Sequence, residues 1–224
     1  MSIDYIERQS ESPYVETITR GRMVSAGSTI RPATCHWHMV FVKPRDRVLA
    51  LVVGPWTTAG VVSWPEGAEV LWIKFKLGTF MPHLPTRKFR DSETQLPEGA
   101  FGRFWLHGST WQYPDYDNAE TFVERLVRDE TLVRDPLVNT VLNGYRHDLS
   151  SRTVRHRFLQ ATGLPQGHIY QIERAQRAET LLRQGKSILD TVDEAGYFDQ
   201  PHLTRSLKQW IGHTPAQILQ GAIG

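Results

Sequence analysis

His36-Trp37-His38 is the first pattern in the sequence with chemical potential. Histidines two apart on a strand face the same side and can share a metal ion. A barrel-type metalloenzyme also needs a carboxylate a few residues on and a third histidine beyond it. Here MVFVKPRD follows His38, with no acid before Asp46, and His83 and His107 lack the expected surroundings. The expectation is no metal, no cofactor and no catalytic set. The bland reading is a strand with histidines on one face, beside aromatic side chains.

Other reactive chemistry is scarce. Cys35 is the single cysteine, which excludes an internal disulfide and any zinc site built on several thiolates. It suits a reducing cytoplasm. No serine sits in a nucleophile-elbow glycine pattern, and no phosphate-binding glycine loop occurs. Trp37, Trp56, Trp64 and Trp72, with His36 and His38, are the candidate lining of an apolar ligand pocket. Ordinary barrel core is the alternative for each tryptophan.

These residues lie in a front part with its own texture. Six of seven tryptophans and nine of thirteen prolines precede residue 118. Apolar runs at 37–42, 48–53, 61–64 and 70–75 are cut by Pro or Gly and predict β-strands of a sandwich or barrel. From residue 119 helical periodicity takes over. Helices are expected near 119–132, 136–147, 151–162, 167–184, 187–195, 200–211 and 215–221. Asp135-Pro136 and Thr214-Pro215 mark helix starts, Ser187 with Asp190 forms a capping-box pattern, and Gly163 and Gly212 mark stops. The polar run at 113–118 divides the chain into 1–115 and 119–224.

A repeat at a shift of 49 residues lays SSRTVRHRFLQATG beside DQPHLTRSLKQWIG. Val154, Phe158 and Ala161 then match Leu203, Leu207 and Trp210, an i, i+4, i+7 stripe on one helix face. The opposite faces carry cations. No acid lies between Leu149 and Ile172, nor after Asp199. The bulk charge is only +2, and each half, divided after Asn118, holds 13 basic and 12 acidic residues. Placement, rather than net charge, is the possible nucleic-acid footprint. A helix and a tight turn precede each repeat, which is the grammar of two helix-turn-helix units, about 136–163 and 187–212. The helix between them spans roughly 27 Å at 1.5 Å per residue. That could hold two reading helices about one DNA turn apart, near 34 Å.

SSRTVRHRFLQATGLP, RAQRAETLL and SILDTVDEAGYFDQPHLTRSLKQWIGHTP together resemble the AraC/XylS transcription regulators. The resemblance implies an α+β chain: a cupin-like β-barrel or sandwich, then an all-α domain of two helix-turn-helix units joined by a long helix. It implies base contacts from Ser151, Arg152, Arg155 and His156 in one unit. In the other it implies Gln200, Pro201, His202, Thr204 and Arg205, with Lys208 on phosphate. His156 departs from the family's usual arginine, and Thr191-Val192 from its usual isoleucine-alanine pair. Arg157 and Arg174 lie off the outward faces and are expected to be structural.

Double-stranded DNA is the implied partner. A small-molecule effector, RNA polymerase and a second copy of the chain are the further partners considered. The competing reading is a cupin-fold metalloenzyme with a fused helical domain, disfavoured by the missing carboxylate. The longest apolar run, 48–56, is too short to cross a membrane, which takes about 20 residues. The opening MSIDYIERQS lacks a signal pattern, so a cytoplasmic protein is expected.

Overall fold

The computed structural model describes residues 3–43 and 47–221. Its front half is antiparallel sheet. Strands β1 (Ile3–Gln9), β2 (Val15–Met23), β3 (Gly27–Arg31), β4 (His38–Lys43), β5 (Leu49–Val53), β6 (Gly60–Trp64) and β7 (Glu69–Phe75) come first. Then come β8 (Thr79–Phe80), a 3-10 turn at Thr86–Lys88, β9 (Glu93–Gln95), β10 (Glu98–Gly99), β11 (Arg103–Leu106) and β12 (Ser109–Gln112). Six of these strands form one sheet in the order β1-β2-β7-β4-β5-β9. β10-β11-β12 form a second sheet, and β3 pairs with β6 in a ribbon. The four apolar runs read as strands are β4 to β7.

The rest is helical: α1 (Ala119–Arg128), a short strand β13 (Val133–Arg134), α2 (Leu137–Leu142), α3 (Ser151–Thr162) and α4 (Gln166–Arg183), then α5 (Ile188–Glu194), α6 (Gln200–Trp210) and α7 (Pro215–Leu219). Two helices stop four or more residues short of expectation, and α5 and α7 are each shorter by two. α1 stops at Arg128 rather than 132, because the chain turns through a left-handed Glu130 (φ +54°) and drops Leu132 into the core. α2 stops at Leu142 rather than 147, where Gly144 takes φ +67°.

Two large cores divide the molecule, and neither respects the compositional boundary. α1 buries Ala119, Phe122, Val123 and Leu126 in the same cluster as Trp37, Phe41, Phe75 and Phe104 of the sheets. It packs with the front half, although the expected division grouped it with the helices behind. Conversely, Ala33, Cys35 and Phe80 of the front half are buried among the helices α3 to α6. β13 pairs with β8 across the same seam. Apolar surface removed from water contributes about 25 cal/mol per Å², so this shared core holds the two halves together.

Candidate nucleic-acid interface

Both repeated helices are seated as the stripe predicts. In α3, Phe158 and Ala161 are buried and Val154 is half-buried. In α6, Leu203, Leu207 and Trp210 are buried. The starts are fixed by side-chain caps. Ser150 Oγ accepts from the Thr153 N–H at 3.2 Å, and an Asp199 carboxylate oxygen from the His202 N–H at 2.7 Å. Ser187 caps α5 by accepting from the Asp190 N–H at 3.1 Å, and Thr214 with Gln217 completes a capping box on α7. Gly163 ends α3 at φ +73°. Gly212 follows α6 at φ +88°, a conformation that favours glycine.

The outward faces are open and cationic. Ser151, Arg152, Arg155 and His156 are exposed on α3, and Gln200, Pro201, Arg205 and Lys208 on α6. His202 and Thr204 are half-buried. The His202 ring stands edge-on to Tyr197, with centroids 5.2 Å apart, so part of its surface is spent on the turn. Lys208 Nζ reaches the Gly212 carbonyl at 3.5 Å, at the C-terminal end of α6.

Two arginines brace the units. Arg157 forks onto Asp135, Nε to Oδ2 at 2.9 Å and Nη2 to Oδ1 at 2.6 Å, while Asp135 Oδ1 also accepts from the Leu137 N–H. The start of α2 is thereby tied to α3. Arg174 on α4 lies over the Tyr197 ring at 4.2 Å and donates to the Gly196 carbonyl at 3.2 Å. That ties the connecting helix to the turn of the second unit. Phe198, next to that turn, was not singled out in the sequence, yet it stands 90% exposed beside the N-cap of α6.

Residues 146–221 match a family model described as a helix-turn-helix domain. The C-terminal third of the chain is an AraC-type helix-turn-helix domain. Among solved structures the whole chain aligns with ToxT from Vibrio cholerae at 9% identity and TM-score 0.42, covering 98% of both chains. It also aligns with ToxT from Vibrio cholerae O395 bound to (E)-4-(8-methylnaphthalen-1-yl)but-3-enoic acid, at 10% identity and TM-score 0.42, covering 98% of this chain and 99% of that one. No curated protein matches the sequence. Among the described residues, no helix is long and apolar enough to cross a membrane.

The six side chains considered for ligand binding in front of the AraC-type domain sit in different surroundings. Trp37 is core, stacked on Phe75 at 4.0 Å. Trp56 lies under the Arg31 guanidinium at 3.9 Å, and the Trp64 indole N–H donates to the Ser25 carbonyl at 3.1 Å. Trp72 covers Gly21 on β2. Two cavities of the front half, about 390 and 440 Å³, are lined by other residues.

His36 does meet a carboxylate, but one that the sequence around it does not show. Glu16 arrives from β2, its Oε2 2.9 Å from His36 Nε2, while its Oε1 takes Lys74 Nζ at 3.2 Å. The place a divalent cation would take beside Glu16 is filled by an ammonium. Among the described residues, no group of three or more His, Cys, Asp or Glu could hold a metal ion. Burial pushes the Cys35 thiol up to about 12, which leaves it inert.

The same cluster predicts acid lability. Burial first, then the neighbouring His36 and Lys74, pushes His38 from its ordinary 6.5 down to about 3. The hydrogen bond with His36, then the nearby charges of His36 and Lys74, hold Glu16 at about 2. In both cases the unfolded chain takes up a proton at a pH where the folded chain does not, so acid favours unfolding. Stability should fall as pH drops from about 6.5 to 3 through His38, joined below about 4.5 by Glu16. In His38→Gln, urea midpoints measured against pH should stay flat down to about 4.5 before falling. A variant profile superimposable on the parent's would remove His38 from the account.

Proposed function

We propose that the chain is a sequence-specific DNA-binding transcriptional regulator, with the AraC-type domain reading DNA and the front half sensing a small molecule. The observation that carries this is the pair of capped helices α3 and α6, each with a buried apolar stripe and an exposed cationic face without acids. Two unlike readers in one chain need no palindrome, so the site of a monomer is asymmetric and spans about two major-groove segments. Arg205 is the main reader in the second unit. It points away from Leu203, Leu207 and Trp210, and its fork can bridge guanine O6 and N7. His156 is shorter and lacks a guanidinium fork, so the first unit leans on Arg152 and Arg155. Phe198, at the entrance of α6, supplies an apolar edge for a thymine methyl.

RNA polymerase and a second copy of the chain are the further partners in this reading, and a cytoplasmic location follows from it. It makes the chain a regulator rather than an enzyme, supported by the Lys74 ammonium that occupies Glu16, the carboxylate bonded to His36.

Selection of bound sequences from random DNA, using the full chain, supplies the target for the test. Arg205→Ala should cost about 1–3 kcal/mol on the selected site and relax preference at one base pair. Lys208→Ala should weaken all sequences about equally and lower the salt slope by about one. If Arg205→Ala weakened every sequence alike, Arg205 would contact phosphate. A full chain with no salt-dependent DNA affinity would end the reading.

A further inference from the structure

We propose that the front half binds a small planar organic anion of charge about −2 in the cleft between β12 and α1, with Arg103 and Arg125 as its anchors. The proposal rests on reading that half as the sensory part of a regulator, and names its site and ligand class. The cleft holds about 440 Å³, within the range of small-molecule sites, about 300–1,000 Å³.

The floor of the cleft is aromatic and fixed. Trp111 meets Phe122 edge-on at 6.1 Å, and its indole N–H donates to the Leu106 carbonyl at 3.1 Å. A planar ring is the shape that such a floor accepts.

The polar groups around that floor are unspent. The guanidiniums of Arg103 and Arg125, the Gln112 amide and the Tyr113 hydroxyl line the cleft, and none has a hydrogen-bond or ion-pair partner among the described residues. Four other arginines of the chain are taken up by acids, Arg8 by Glu120, Arg47 by Glu98, Arg157 by Asp135 and Arg183 by Glu179, whereas no acid reaches these two among the described residues. No acid lines the cleft. Of the acids near it in sequence, Glu120 is held by Arg8, Asp115 accepts the N–H groups of Asp117 and Asn118 at 3.0 and 2.9 Å, and Asp117 and Glu124 are exposed outside the lining.

Guanidinium forks match carboxylate geometry two hydrogen bonds at a time. Here the forks come from two different elements, strand β11 and helix α1, so a ligand that presents an acidic group to each can satisfy both forks bidentately. An aromatic dicarboxylate has that form.

The test uses the full chain carrying 5-fluorotryptophan, with the Trp111 fluorine signal identified by its loss in Trp111→Phe. Isophthalate and terephthalate are the probes, with benzoate and benzamide as comparators. At least one dicarboxylate should move the Trp111 signal, binding about tenfold or more tightly than benzoate. Benzamide should leave it in place. Arg103→Gln and Arg125→Gln should each weaken the dicarboxylate by about tenfold or more while leaving the other tryptophan signals unchanged, which shows that the fold is kept. No movement up to about 10 mM, an equal response to benzamide, or a response unchanged in both arginine variants overturns the proposal. DNA binding is measured on the same protein. Bound DNA with a silent Trp111 removes the cleft alone, and a responsive Trp111 without DNA binding removes the regulator reading alone.

Discussion

Trp37→Ala is expected to lower the unfolding free energy of the full chain by about 3–5 kcal/mol. The side chain is 3% exposed, stacks on Phe75 and meets the Phe89 ring edge-on at 5.9 Å. Its indole N–H donates to the Thr79 carbonyl at 2.6 Å, and the Thr79 hydroxyl in turn donates to the Tyr14 carbonyl at 3.2 Å. Alanine therefore removes packing and leaves the Thr79 carbonyl without that donor. Trp37→Phe separates the contributions, keeping a ring while losing the donor, and should cost about 1–3 kcal/mol. Urea unfolding of both variants measures this. A Trp37→Ala loss below about 1 kcal/mol would mean that the indole is not a core side chain.

Leu203→Ala is expected to cost about 2–5 kcal/mol and to reduce DNA affinity on every sequence. Leu203 is fully buried at the first turn of α6, in one cluster with Ile172, Ala175 and Tyr197. It seats the end of the helix that carries Gln200, Pro201 and Arg205. Gln200→Ala, three residues away and exposed, should leave stability within about 0.5 kcal/mol. Paired unfolding and DNA-binding measurements check the contrast. A stable Leu203→Ala protein would show that α6 is held by its ends rather than its stripe.

The helical half was legible because its signals are local. The stripe Leu203, Leu207, Trp210, the cap at Asp199 and the stop at Gly212 lie within fourteen residues, and α3 and α6 fall within a residue of expectation. The strands β4 to β7 were legible as apolar runs. β2 was not, because its buried residues Val15, Thr17, Ile18, Gly21 and Met23 are interleaved with Glu16, Arg20 and Arg22. The same strand hid the Glu16 partner of His36, twenty residues upstream, since sequence shows spacing along the chain but not strand neighbours. The overlong α1 failed for a different reason. No Gly or Pro stands at 129–131, and the turn exists because Leu132 gains more from burial than the helix gains from another half turn. The exposed faces of α3 and α6 were readable as faces. The half-burial of His202 and Thr204 depends on neighbours that a helical wheel does not contain.

The last carbonyls of α6 are satisfied from the other half of the molecule. Trp210 O accepts from the Ala33 N–H at 2.7 Å, and Gln209 O from the Ala59 N–H at 2.8 Å. Gly212 lies so close that an added methyl would collide with the Ile30 side chain. At the end of α3, a methyl on Gly163 would sit 3.0 Å from Thr86. Both helices proposed to read DNA thus rest their tails on the sheet-bearing half, as the jaws of a caliper rest on one beam. α4 sets the length of that caliper, but the beam sets its opening. A shift of the loops around Ala33, Ala59 and Thr86 by an ångström or so would re-gauge the jaws against a groove repeat of about 34 Å, with no change in the side chains proposed to meet DNA.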